Sequence, residues 1–149
     1  MKVAIVSGGF DPIHVGHIEL MNRAKSLADG LIVIMNTDEF LANKKGKIFM
    51  PFFERKIIVE NIRSVDLAIK SIDTDQTVCQ TLRQLASMRT LLNGEPWEQL
   101  LFCNGGDRTN GENTPEHKVC LELGIESVYG LGDKIQSSSW LTKNYSKSK

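Results

Sequence analysis

The sequence predicts a single α/β domain whose five-stranded, mostly parallel sheet carries helices on both faces. Short, β-branched apolar runs alternate with segments of helical periodicity, the pattern of successive β-α-β crossovers. Gly-Gly, Asp-Gly or Asn-Gly pairs bound several of these segments, and proline opens two of the helical ones. The length of 149 residues suits one domain with one core.

Lys2–Ser7 (KVAIVS) reads as a buried strand ending at Gly8-Gly9. From Gly16, the spacing of Ile18, Leu20, Met21, Ala24 and Leu27 predicts a helix that Asp29-Gly30 stops. Leu31–Met35 is the second strand. Asn36-Thr37-Asp38 then caps a short helix, and Asn43–Lys47 is expected as a basic loop. Pro51 opens a helix with Ile57, Ile58 and Ile62 facing inward. Val65–Ile72 reads as a weaker strand and Thr74–Met88 as a helix with Val78, Leu82, Leu85 and Ala86 on one side. Leu100–Cys103 is a strand ending in Asn104-Gly105-Gly106-Asp107. Pro115–Leu123 is a helix closed by Gly124, Ile125–Tyr129 the last strand, and Ser138–Lys143 a final short helix. In a parallel sheet of this kind ligands bind beyond the carboxyl ends of the strands. The motifs SGGFDP, NTD and NGGD each follow a strand and are expected at that one edge.

Eighteen basic residues balance eighteen acidic ones, which argues against a nucleic-acid-coating or membrane-surface protein. No apolar run approaches the roughly 20 residues of a membrane span, and no secretory leader pattern precedes the first strand. The three cysteines, Cys79, Cys103 and Cys120, are scattered and odd in number, as for reduced thiols in a cytoplasm. No CxxC or HxxxH spacing suggests a protein-held metal.

The most informative segment is Gly8-Gly9-Phe10-Asp11-Pro12-Ile13-His14-Val15-Gly16-His17, which holds two of the three histidines. Gly8 and Gly9 allow a tight turn and close approach of a phosphate. Gly16-His17 begins a helix, whose free amides and dipole favour anions. Imidazoles there are placed to donate to phosphate oxygens as charge grows on them in a transition state. An isolated H-x-x-H is also compatible with a structural role or with half of a metal pair. The surrounding strand, double glycine and Asp-Pro favour the catalytic reading.

GGFDPIHVGH resembles the GxFDxxHxGH signature of the HxGH nucleotidyltransferase superfamily. The likeness runs from Lys2 to about Leu141 and is nearest to the glycerol-3-phosphate cytidylyltransferases and heptose 1-phosphate adenylyltransferases. It implies a Rossmann-like nucleotidyltransferase domain over residues 1–145, with 146–149 a polar tail. It implies His14, His17 and Lys45 as catalytic residues, with Lys44 second to Lys45 as the family's mobile lysine. Gly8, Gly9, Phe10, Asp11 and Gly16 would bind nucleotide. Gly105 and Asp107 of the NGGD segment would also do so, although a plain turn explains them too. Ser137, Ser138 and Ser139 lie where the superfamily holds β- and γ-phosphates, and serines also simply cap helices. Arg55 is either a substrate-phosphate contact or part of an ion pair at a helix start.

Here the chain departs from the pattern. An upstream arginine is missing, with Lys134 as a stand-in, and Arg108–Thr114 and Asn93–Trp97 lengthen two connections. The implied reaction moves a nucleotidyl group, CMP in preference to AMP, from a nucleoside triphosphate to a sugar- or polyol-phosphate. Mg²⁺ would arrive on the triphosphate. The rivals are adenylyl transfer to heptose 1-phosphate and a regulatory module that binds nucleotide without turnover. By the same resemblance a homodimer is expected, with no nucleic acid or membrane partner.

Overall fold

The computed structural model describes residues 1–88, 94, 96–105 and 114–131. Its elements are β1 (Lys2–Gly8), α1 (Val15–Ser26), β2 (Gly30–Met35), α2 (Asp38–Lys45) and α3 (Phe52–Glu60). There follow β3 (Leu67–Lys70), α4 (Cys79–Met88), β4 (Gln99–Gly105), α5 (Pro115–Leu123) and β5 (Glu126–Leu131). The strands form one sheet in the order β3-β2-β1-β4-β5, and all four pairings are parallel. Chain order reverses between β1 and β4, which makes that gap the topological switch point.

The central strands are apolar throughout because helices cover both their faces. Every residue of β2 is buried, as are Val3–Val6 of β1. On one face Val3, Ile5, Ile32 and Ile34 pack against Leu82 and Leu85 of α4 and Val119 and Cys120 of α5. On the other, Ala4, Val6, Leu31 and Val33 meet Met21 and Ala24 of α1 and Val59 of α3. Full burial of each large aliphatic chain contributes roughly 1.5–3 kcal/mol.

The strands end level with one another. Gly8 pairs with Met35 and Met35 with Lys70, while Lys2 to Ile5 pair with Gln99 to Phe102 at a constant offset. The Asn36 amide continues the ladder by donating to Gly8 O at 2.9 Å. A register shift between Cys103 and Gly105 puts a bulge at the end of β4, and Gly105 then pairs with Leu131. The segments after β1, β2 and β4 therefore do leave from one edge.

Four local expectations change. The basic stretch after Thr37 stays helical to Lys45, and Gly46 ends it in the left-handed region at φ 85°. In α3 the buried positions are Arg55 and Val59, with Ile57 and Ile58 turned outward. Helix α4 starts only at Cys79. The Asp73 carboxylate accepts from the Gln80 and Thr81 amides and the Thr81 hydroxyl, holding residues 74–78 in a turn. The weaker strand contracts to Leu67–Lys70. The helix expected at Ser138–Lys143 and the tail lie outside the described residues.

Candidate active site

A capping arrangement of two histidines builds the start of α1. His14 is the N-cap, with extended backbone, and its Nδ1 accepts from the Gly16 amide at 3.1 Å. His17, three residues on, returns the interaction: its Nδ1 accepts from the His14 amide at 3.2 Å. The spacing is that of the S/T-x-x-E capping box, with imidazole nitrogen in place of both oxygens. The rings stack with centroids 3.8 Å apart, and the edge of Phe10 meets His17 at 4.9 Å.

This geometry fixes the tautomers. A nitrogen that accepts an N–H carries no proton, so each neutral ring bears its hydrogen on Nε2. Burial lowers the pKa of His14 below the ordinary 6.5. Burial, with smaller contributions from the charges of His14 and Lys45, pushes His17 down to about 3. At pH 7 both rings are neutral donors, held by backbone and free at Nε2 to reach a phosphate oxygen.

Phe10 is the strained residue of the loop. Its φ of 54° is unusual for a bulky side chain, a cost of order 1–3 kcal/mol. The ring is buried at 3% exposure, between His17 and Gly8. A Cβ on Gly8 would come within 3.0 Å of that ring, and one on Gly9 within 2.6 Å of Leu41 Cδ2. Close packing against Phe10 and Leu41 thus gives a further reason for the paired glycines, beside the tight turn and the phosphate approach expected of them. The Phe10 ring serves as the wall behind His17, so any contact it makes with nucleotide would come through its main chain.

The side chains of Asp11 and Arg55 are engaged within the chain. Asp11 is 2% exposed, and its carboxylate accepts from the Phe49 and Met50 amides at 2.7 and 2.6 Å. It ties the segment after α2 to the first loop. Of the two roles open to Arg55, the geometry is that of the ion pair: NH2 donates to Asp38 Oδ1 at 2.7 Å. The guanidinium, 1% exposed as a residue, also donates to Gly9 O, Asn36 O and Met50 O. One side chain therefore joins the ends of β1 and β2 to the starts of α2 and α3, the planar fork doing what a lysine cannot.

Lys45 reaches the first loop. Its Nζ donates to Asp11 O at 2.9 Å, and its charge is felt by His17. Lys44, exposed, lies over the Phe40 ring at 5.8 Å and is not drawn toward the histidines. Gly16 supplies the amide that locks His14. Gly105 ends β4 at the same sheet edge, next to the buried Asn104, whose Nδ2 donates to Val128 O at 3.4 Å. Asp107, Ser137, Ser138 and Ser139 lie outside the described residues, as does Lys134.

The ion pair of Arg55 was one of its two expected roles, whereas its three bonds to main-chain carbonyls carried no sequence signal, because folding alone brings those carbonyls together. The histidine lock had one, the capping-box spacing of His14 and His17.

The cytidylyltransferase-like family model matches residues 5–115. Glycerol-3-phosphate cytidylyltransferase of Bacillus subtilis (strain 168) is 38% identical over 98 residues, 66% of this chain and 74% of that one. The enzyme of the same name from Staphylococcus aureus (strain NCTC 8325 / PS 47) is 46% identical over 69 residues, 46% of this chain and 52% of that one. Among solved structures, the lipopolysaccharide core biosynthesis protein of Thermoplasma volcanium GSS1 superposes with a TM-score of 0.64 at 25% identity, covering 87% of this chain and 93% of its own. Among the described residues no helix is long and apolar enough to cross a membrane. With the HxGH loop at the switch point and these likenesses together, the chain is a nucleotidyltransferase and belongs to the cytidylyltransferase-like family.

Proposed function

We propose that the chain transfers CMP from CTP to a polyol phosphate and releases pyrophosphate. The observation that carries the reading is the pair of neutral imidazoles whose Nδ1 atoms are both occupied by backbone amides. Nε2–H donors fixed in this way at the start of α1 suit the charge that develops on the α-phosphate. An oxygen of the acceptor phosphate attacks the α-phosphorus. The new P–O bond forms as the bond from that phosphorus to the α,β-bridging oxygen breaks, and pyrophosphate leaves with the electron pair. The acceptor phosphate is already largely ionised near neutral pH, so no protein base is needed.

His14 and His17 stabilise charge on the α-phosphate, and Lys45 neutralises triphosphate or acceptor phosphate. Mg²⁺ belongs to the proposal as an ion carried by the triphosphate, whose oxygens it would draw charge from. That assignment matches a donor set in which Asp11 already spends its carboxylate on Phe49 and Met50. Ser137–Ser139 remain proposed β- and γ-phosphate ligands. The homodimer is proposed as well. Phe49 and Phe53, each 63% exposed, and Ile57, 55% exposed, offer an apolar surface for it.

Adenylyl transfer to a sugar phosphate is the second reading, supported by the likeness to the lipopolysaccharide core protein. Pyrophosphate release from CTP and ATP, each with glycerol 3-phosphate and a panel of sugar phosphates, tests both. Turnover is expected with CTP and a polyol phosphate. Nucleotide binding without turnover on any acceptor would support the regulatory-module reading instead.

A further inference from the structure

The proposed chemistry uses two of the three histidines, and the third stands on the other helix that borders the switch-point crevice. Strands β1 and β4 are neighbours there, but α1 packs on one face of the sheet and α5 on the other. The starts of α1 and α5 thus bound the crevice from opposite sides. His17 is the third residue of α1, and His117 is the third residue of α5.

His117 is held much as the other two are. Its amide donates to the N-cap Thr114 Oγ1 at 3.2 Å, and its Nδ1 lies 2.9 Å from the Tyr129 hydroxyl. Tyr129 stands on β5, two residues before Leu131, the partner of Gly105 at the end of β4. Either group can donate in this bond, which in both cases occupies Nδ1 and leaves Nε2 to donate or accept. That Nε2 has no partner among the described residues, and both side chains are only half-buried.

The charge around the pair selects the part of a nucleotide it suits. On the β2 side of the crevice, Lys45 ends α2 with its Nζ on Asp11 O and favours phosphate. On the β4–β5 side, Glu116 adjoins His117 and disfavours it. Among the described residues there, the Asn104 carboxamide, the Tyr129 phenol and the His117 ring offer hydrogen-bonding and aromatic surfaces suited to a ribose or base. We propose that His117 contacts the nucleoside moiety of the triphosphate through Nε2, with Tyr129 as the positioning residue that orients its ring. The proposal rests on the nucleotidyl-transfer reading for the identity of the ligand.

Calorimetric titration of His117→Ala, Tyr129→Phe and the parent chain with CTP, ATP and inorganic tripolyphosphate tests it. His117→Ala is expected to weaken nucleotide binding about tenfold, the scale of one lost hydrogen bond with some stacking, and to leave tripolyphosphate binding unchanged. Tyr129→Phe keeps the ring and removes only the hydroxyl. It is expected to raise KM for nucleotide severalfold at unchanged kcat, a split that a mere helix-to-strand clasp would not produce. His117→Gln, which keeps a donor, is expected to recover part of the affinity. Nucleotide affinity within twofold of the parent in a folded His117→Ala chain overturns the proposal, as does an equal loss for tripolyphosphate. A parent chain that binds tripolyphosphate but neither nucleotide overturns the nucleotidyl-transfer reading itself.

Discussion

The two segments proposed to supply the phosphate-binding groups are built in opposite ways. The Gly8–His17 loop is fixed at every step: Phe10 is buried, Asp11 is saturated by amides, and both histidines are locked at Nδ1. The end of α2 is exposed, and Lys45 reaches the site through a single bond to a backbone carbonyl. A rigid donor pair suits charge that appears only in the transition state, whereas a long, exposed lysine suits ground-state phosphates that come and go. Arg55 is the hinge post between them, bonded to Gly9 O on one side and Asp38 on the other.

If that contrast holds, substitutions in the two segments should separate kcat from KM. His17→Ala should lower kcat about a hundredfold or more, as for loss of a preorganised donor. Because the His14 amide also loses its cap, stability should fall by about 1 kcal/mol. Pyrophosphate-release kinetics beside a thermal melt reads both, and a stability loss as large as the activity loss would make His17 a packing residue. Arg55→Lys comes next. A lysine cannot reproduce the three carbonyl bonds and the ion pair, so the chain should lose about 3 kcal/mol in a urea titration. A change below about 0.5 kcal/mol would return Arg55 to the list of substrate contacts.

Lys45→Ala should be the mildest of the three. Its effect is expected as a rise in KM for triphosphate of about tenfold, with little change in the melt. Hydrogen exchange across Ala42–Ile48 should slow when nucleotide binds, since the end of this exposed helix is held by few contacts. Unchanged protection there would detach Lys45 from the site and erase the contrast.

The fold was legible because its evidence is redundant. The apolar strands, Asp29-Gly30, Pro115 and Gly124 each mark a boundary locally, and the parallel topology follows from their alternation. The placement of His14 and His17 was legible for a similar reason, since they fall at a helix start immediately after a strand. What could not be read was how the loop is held. Gly8 and Gly9 read as a tight turn with room for phosphate, and their packing against Phe10 and Leu41 was not visible in that reading. Arg55 and Asp11 bear charges that suggest ligands, yet both are spent on main-chain groups brought close only by folding. Ile57 and Ile58 misled in the other direction: helical periodicity gave them the inner face that Arg55 and Val59 occupy. Asx and hydroxyl turns such as Asp73–Thr77 compete with helix start in ways that spacing does not report.

The central claim is that His14 and His17 act as neutral Nε2–H donors. The depressed pKa of His17 makes the claim sensitive to acid. Its folded value of about 3 lies below the ordinary 6.5, so between those limits the unfolded chain binds the extra proton. The stability this contributes is complete above pH 6.5 and is lost progressively as pH falls toward 3. Long-range ¹H–¹⁵N correlation spectra of the free protein, recorded from pH 8 to the onset of unfolding, observe the rings directly. Both rings should show an unprotonated Nδ1 and a protonated Nε2 near pH 7, and His17 should keep that pattern past pH 5 with no inflection near 6.5. An Nδ1–H tautomer in either ring, or titration of His17 near 6.5, would contradict the account.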